Sequence, residues 1–188
     1  MNIANQLTVL RIILAFVCVW LILINNLVAL TAALLVFIAA SITDFLDGFF
    51  ARRQALVTDL GKILDPIADK ILILGVFTAF LALNVVNVWM IIAIMLREFI
   101  ITSIRFFVLN KGVVLEAKFL GKQKTVSQIA GIIVIFIALI LRRLMPQAAG
   151  VDFLFNALIP IIMWYIVFIT IFSGLHYLWQ NRKLINTF

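Results

Sequence analysis

Long apolar runs follow one another along the chain, centred on residues 7–25, 27–50, 63–84, 88–109, 125–143 and 153–179. Each can reach the about 20 residues that an α-helix needs to cross a bilayer. Helices are the expected spanning form, because all their backbone hydrogen bonds close within the segment. The pattern therefore predicts six transmembrane helices. The breaks between the runs differ in charge. Asn25-Asn26 and the Asn84–Asn87 link carry none. Arg52, Arg53 and Lys62 lie between runs two and three, Lys111, Lys118, Lys122 and Lys124 between four and five, and Arg182 and Lys183 after run six. These three positions share one side, which the positive-inside rule makes cytoplasmic. Arg142 and Arg143 are the exception on the outer side, partly offset by Asp152. Both termini are expected in the cytoplasm. The first run has only Arg11 near its start and no small-x-small cleavage site after it, so it reads as a retained helix rather than a signal peptide.

Composition strengthens this picture. Of 188 residues, 66% are apolar and 12% charged, with a mean hydropathy of +1.26. An ordinary soluble domain is about 45–50% apolar and about 25% charged. Too little polar surface remains to cover a water-soluble globule, so an integral membrane protein is expected, with residues 1–188 forming a single transmembrane domain. No linker, low-complexity tract or repeat divides it. The formal net charge is +7. The basic residues sit at the ends of apolar runs, which suits anionic headgroups and phosphate-bearing substrates better than nucleic acid. The one cysteine, Cys18, can form no internal disulfide.

Against this background one stretch stands out, "TDFLDGFFARRQALVTDLGKILDPIADK" from Thr43 to Lys70, which holds five of the eight acidic residues. On helices, Asp44 and Asp47 are i and i+3, and Asp65 and Asp69 are i and i+4, so each pair projects from one face. A short connection joins runs two and three, which should make them antiparallel neighbours whose four carboxylates converge near the membrane surface. An ionised Asp at mid-bilayer costs roughly 2.5–3.5 kcal/mol on insertion scales, and clustered carboxylates also repel one another. Protonation or a bound cation relieves this. Oxygen donors without His or Cys suit Mg²⁺, Mn²⁺ or Ca²⁺ rather than zinc, and two pairs could share two ions about 3.5–4 Å apart. Gly48, Ala51 and Gly61 remove side chains beside the carboxylates. Arg52 offers a planar fork to a phosphate, and Pro66 is early enough in its span to cost little. The plainer reading, solvated caps or ion-pair partners of Arg52, Arg53, Lys62 and Lys70, would serve for one juxtamembrane Asp. It does not explain four in paired helical spacing.

Written out, the stretch is Asp44-x2-Asp47-Gly48-x2-Ala51-Arg52-x8-Gly61-x3-Asp65-x3-Asp69. It resembles the complete signature of the CDP-alcohol phosphotransferases, at every fixed position and spacing, and the six expected spans agree with that family's all-α membrane fold. The resemblance implies an enzyme that displaces CMP from a CDP-linked lipid with an alcohol, using two divalent cations, Mg²⁺ or Mn²⁺. It implies that Asp44, Asp47 and Asp65 hold the metals and that Asp69 joins the second ion and acts as general base. Gly48, Ala51, Arg52 and Gly61 would line the CDP site. Asp59 lies outside the pattern and reads as a loop acid or helix cap.

"LREFIITSIR" (Leu96 to Arg105) and "FLGKQKTVSQ" (Phe119 to Gln128) resemble the branch whose acceptor is sn-glycerol 3-phosphate. Arg97, Arg105, Lys122 and Lys124 would then form the acceptor's phosphate pocket. Taken singly, each also fits a positive-inside charge facing anionic lipid. "MNIANQLTVLR" resembles the same branch, with Asn5, Thr8 and Arg11 at matching positions near the nucleotide. Helix capping is an equal reading for Asn5 and Thr8, and Ala4 stands where a Pro is usual. The resemblance further implies CDP-diacylglycerol as lipid substrate, a homodimer, and a bacterial plasma (inner) membrane with the active site facing the cytoplasm. Rival readings are a sister enzyme for serine, an inositol phosphate or phosphatidylglycerol, and a divalent-cation transporter. A transporter would place its carboxylates near the midplane on broken spans. His176, Trp164, Tyr177 and Trp179 read as interfacial belt residues, and Gly131 and Gly174 as helix-contact positions outside any GxxxG motif.

Overall fold

A computed structural model describes the chain over residues 3–54, 59–109 and 119–182, and side chains at residue 6 and over 8–43, 67–68, 70–108, 121, 123–148 and 150–182. All the regular structure described is helical. Helix α1 spans Ile3–Ile24, α2 Leu27–Gln54, α3 Asp59–Ala82, α4 Val88–Leu109 and α5 Phe119–Leu144. A short α6, Ala149–Phe153, runs through a π-helical turn, Leu154–Leu158, into α7, Ile159–Gln180. Each apolar run of the sequence thus corresponds to one long helical rod.

The uncharged breaks are built by asparagine. Asn25 and Asn84 both adopt left-handed backbone, with φ of 54° and 56°, a conformation that asparagine tolerates better than most residues. At the end of α3 the Asn84 N–H bonds the Leu81 carbonyl at 2.9 Å and the Val85 N–H reaches back to Phe80 at 3.0 Å, the paired bonds of a Schellman stop. A second asparagine then starts the next helix. The Asn26 carboxamide oxygen accepts the Ala29 N–H at 2.7 Å, and that of Asn87 accepts the Trp89 N–H at 2.9 Å, so each closes a donor that the first helical turn leaves open. The π-turn has its cause in Pro160, which stands at the start of α7. Proline offers no N–H and its ring clashes with the carbonyl four residues back. Widening the preceding turn accommodates both, and the rod continues unbroken.

Helix α1 packs along both α2 and α3, while α2 and α3 meet each other only briefly among the described residues. The convergence of Asp44, Asp47, Asp65 and Asp69 expected beside their short connection lies outside the described side chains. Small residues line the α1–α2 contact: the Cys18 thiol donates to the Ala33 carbonyl at 3.5 Å, and Ala15 belongs to the same buried cluster. Helix α7 packs on α5 and α4. At Gly131 the two helices come close, and a Cβ there would press on the Ile166 side chain. The halves join at Phe136 of α5, whose ring lies 6.0 Å from Phe37 of α2 and 5.2 Å, edge-on, from Phe80 of α3.

The outer surface is as apolar as the core. Phe16, Trp20, Val28, Leu35, Trp164 and Phe168 are all exposed, a surface suited to lipid. Two stretches of the described residues are long and apolar enough to cross a bilayer, Gln123–Leu144 and Gly150–Gln180. Shorter apolar helices cover Thr8–Ile24, Leu27–Thr43 and Lys70–Ala82.

Candidate active site

The signature residues fall on two helices. Asp44, Asp47, Gly48, Ala51 and Arg52 lie in the C-terminal half of α2, and Gly61, Asp65 and Asp69 in the N-terminal half of α3. Both helices run uninterrupted through these positions, so the i,i+3 and i,i+4 spacings keep their helical phase. The side chains of all eight lie outside the described residues, as do those of Asn5 and Lys122. Just before the signature, the Ser41 and Thr43 hydroxyls donate to the carbonyls of Phe37 and Ala40 in their own helix, at 2.8 and 2.7 Å.

Thr8 and Arg11, both on α1, are wholly buried. A guanidinium is tolerated inside a bundle only opposite an anion or a set of hydrogen-bond acceptors. Arg11 thus marks a polar interior near the start of α1.

The basic residues of α4 and α5 are resolved in more detail. Glu98, buried on α4, accepts from Lys124 of α5 and from Arg97 Nη1 at 3.4 Å. The other donors of Arg97 turn to α7: Nε bonds the Thr170 carbonyl at 3.1 Å and Nη2 the Ser173 hydroxyl at 3.0 Å. Gly174 makes this crossing possible, because a Cβ there would stand 3.0 Å from Arg97 Cγ and 3.1 Å from its Nε. Two turns further along α4, Arg105 is engaged differently. Its guanidinium carbon sits 5.3 Å from the centre of the Tyr177 ring, and neither its buried Nε nor the buried Tyr177 hydroxyl finds a hydrogen-bond partner among the described residues.

Lys70, the residue after Asp69, ties this cluster to the signature. It lines a cavity of about 10 Å³ together with Glu98, Lys124, Thr125 and Gln128, space for about one water-sized group. The Gln128 amide nitrogen, also buried there, lacks a partner among the described residues. Of the four basic residues singled out in the sequence, Arg97 and Lys124 thus meet through Glu98, while Arg105 stands apart on Tyr177. Sequence reasoning passed over Glu98, Gln128, Thr170 and Ser173 as site residues. Glu98 was the detectable one: an acid inside an apolar run, beside an arginine, marks a polar interior contact. Nothing local in the sequence signals that Thr170 and Ser173 receive Arg97.

Comparison with known proteins agrees with the signature. Residues 1–172 match the family model described as CDP-alcohol phosphatidyltransferase. The chain is 38% identical over 160 residues to the CDP-diacylglycerol–glycerol-3-phosphate 3-phosphatidyltransferase of Bacillus subtilis strain 168, covering 85% of this chain and 78% of that protein. Proteins of the same name from Rickettsia typhi and Rickettsia felis are each 35% identical, over 176 and 182 residues. These matches cover 94% of both chains for the first, and 97% of this chain and 96% of the relative for the second.

Proposed function

Because the chain belongs to the CDP-alcohol phosphatidyltransferase family, we propose that it transfers the phosphatidyl group of CDP-diacylglycerol to sn-glycerol 3-phosphate, giving phosphatidylglycerophosphate and CMP. The acceptor's hydroxyl oxygen forms a bond to the lipid-bearing phosphorus as the pyrophosphate P–O bond breaks. The leaving oxygen departs with CMP, and the hydroxyl proton passes to the Asp69 carboxylate, the general base.

Asp44, Asp47, Asp65 and Asp69 supply only hard oxygen donors, a set that fits two Mg²⁺ or Mn²⁺ ions. When bound, the ions offset the charge of the pyrophosphate and of the departing CMP. Gly48, Ala51 and Gly61 leave the nucleotide room, and Arg52 with Arg11, Asn5 and Thr8 faces its phosphates and ribose. Arg105, Lys122 and Lys124 attract the dianionic acceptor, and Arg97 of α4, tied to α7, braces that pocket. Six spans, with both termini and the site at the cytoplasmic face, bring the water-soluble acceptor to a lipid that enters sideways. A homodimer belongs to the same reading and is tested by the mass of the protein–detergent complex.

The observation that carries this proposal is the cavity that Lys70 shares with Lys124, because it sets the helix of the acidic signature against the basic helices. The test offers purified protein Mg²⁺, CDP-diacylglycerol and a panel of alcohols, and measures CMP. Release with glycerol 3-phosphate, lost in Asp69→Asn, supports the reading. Release only with serine, an inositol phosphate or phosphatidylglycerol reassigns the acceptor, and metal uptake without CMP release overturns the enzyme.

A further inference from the structure

The buried cluster on α4 and α5 contains an acid as well as bases, and that acid has no place in an anion pocket drawn from the basic residues alone. Glu98 accepts from Lys124 and Arg97 together. The two cations are not equally dependent on it. Arg97 is held independently by Thr170 and Ser173 across the α4–α7 contact. Lys124 reaches across from α5 on a flexible four-carbon stem, and Glu98 is its hydrogen-bonding partner in the described structure.

An ammonium has three donors, so one engaged by Glu98 leaves two for another oxygen. Lys70 from α3 and Gln128 from α5 line the same cavity, and the Gln128 amide nitrogen there lacks a partner among the described residues. Arg97 and Lys124 share the one carboxylate of Glu98, so the pair keeps a positive charge and spare donors beside a space of about 10 Å³. Such an arrangement suits one oxygen of an incoming phosphate, or a water that it displaces.

We infer that Glu98 is a positioning residue for acceptor binding: it fixes the Lys124 ammonium beside the α3 signature so that Lys124 meets the phosphate of glycerol 3-phosphate in a preset geometry. This role rests on the acceptor assignment above. Glu98 touches neither substrate. It acts through Lys124, and the gain is preorganisation of a flexible cation.

The experiment measures CMP release by the purified full-length protein, varying glycerol 3-phosphate and CDP-diacylglycerol in turn, for wild type, Glu98→Gln, Lys124→Gln and the double variant. Glu98→Gln keeps the shape and removes the charge. Its KM for glycerol 3-phosphate should rise about tenfold, a loss of about 1.4 kcal/mol of acceptor binding, while that for CDP-diacylglycerol stays within about twofold. The double variant should be no worse than Lys124→Gln alone, the signature of two residues acting as one unit. Glu98→Asp, which restores the charge on a shorter stem, should recover part of the loss. An unchanged acceptor KM, a parallel rise in both KM values, or multiplicative effects in the double variant would each overturn the positioning role. If Glu98→Gln does not fold, Glu98→Asp is run through the same cycle with the same criteria. Wild-type protein that releases no CMP with glycerol 3-phosphate sinks the acceptor assignment and this inference with it. Active wild type with an indifferent Glu98 sinks the inference alone.

Discussion

The two charged regions of this helix bundle meet one electrostatic problem in different ways. The α4–α5–α7 region carries its own counter-ion, since Glu98 accepts from Lys124 and Arg97, and Arg97 also finds neutral acceptors on α7. The α2–α3 signature sets Asp44 with Asp47 and Asp65 with Asp69 one helical turn apart, with no basic residue inside either pair. Like charges at such spacing repel, and cations from solution are the balancing charge that the proposed chemistry needs. On the proposed chemistry, one region is completed by the fold and the other by the medium. A perturbation of the medium should therefore separate them.

Removal of divalent ions gives the largest expected effect. Exhaustive chelation should abolish CMP release, and excess Mg²⁺ should restore it, because the two ions of the proposed site would offset charge in the reacting pyrophosphate. The helical bundle itself, followed by circular dichroism, should persist, since the α4–α7 contacts draw on no ion. Activity that survives chelation would remove the distinction between the regions. Next comes Asp69→Asn, which cannot accept the hydroxyl proton. Its rate should fall about 10²–10⁴-fold with little change in thermal unfolding. A small loss would reassign the base.

The same contrast explains what could be read before any coordinates. The signature is local: eight positions over 26 residues, with the spacings inside α2 and inside α3 tied to helical phase, so the motif is visible in one dimension. The apolar runs were equally legible, and each matches a helical rod of the bundle, two of them long and apolar enough to cross a bilayer. The polar seam was not. Arg97 meets Thr170 and Ser173 across more than seventy residues, and such pairing leaves no periodic trace. Nor does any local pattern record that α1 packs along both α2 and α3.

Within α4 the two arginines provide a finer version of the comparison. Arg97 has its Nε and both terminal nitrogens bonded inside the protein, whereas the buried Arg105 Nε has no described partner. Arg105→Gln should therefore act mainly on function, raising the KM for glycerol 3-phosphate about tenfold, as expected when one charge-assisted contact of about 1.5 kcal/mol is lost. Arg97→Gln should act mainly on the fold and lower stability by about 2 kcal/mol through the lost hydrogen bonds to α7. Unfolding in detergent and acceptor kinetics on both variants would check this division. Equal effects of the two on KM would mean that Arg97 also meets the acceptor directly.

The smallest effects concern glycines that differ only in what a methyl group would meet. At Gly174 the added Cβ would press on Arg97 at 3.0 Å from Cγ and 3.1 Å from Nε. That side chain cannot swing aside freely, because its Nε is bonded to Thr170 and its Nη2 to Ser173. Gly174→Ala should therefore destabilise the bundle by about 1 kcal/mol, the lower end of overpacking costs, even though alanine is the better helix former. At Gly150, at the start of α6, nothing lies within 4 Å of the same position, and Gly150→Ala should be neutral or stabilising by up to about 1 kcal/mol. The two variants unfolded side by side separate packing from propensity. If Gly174→Ala proves as harmless as Gly150→Ala, Arg97 is free to move, and its place as a fixed strut between α4 and α7 is lost.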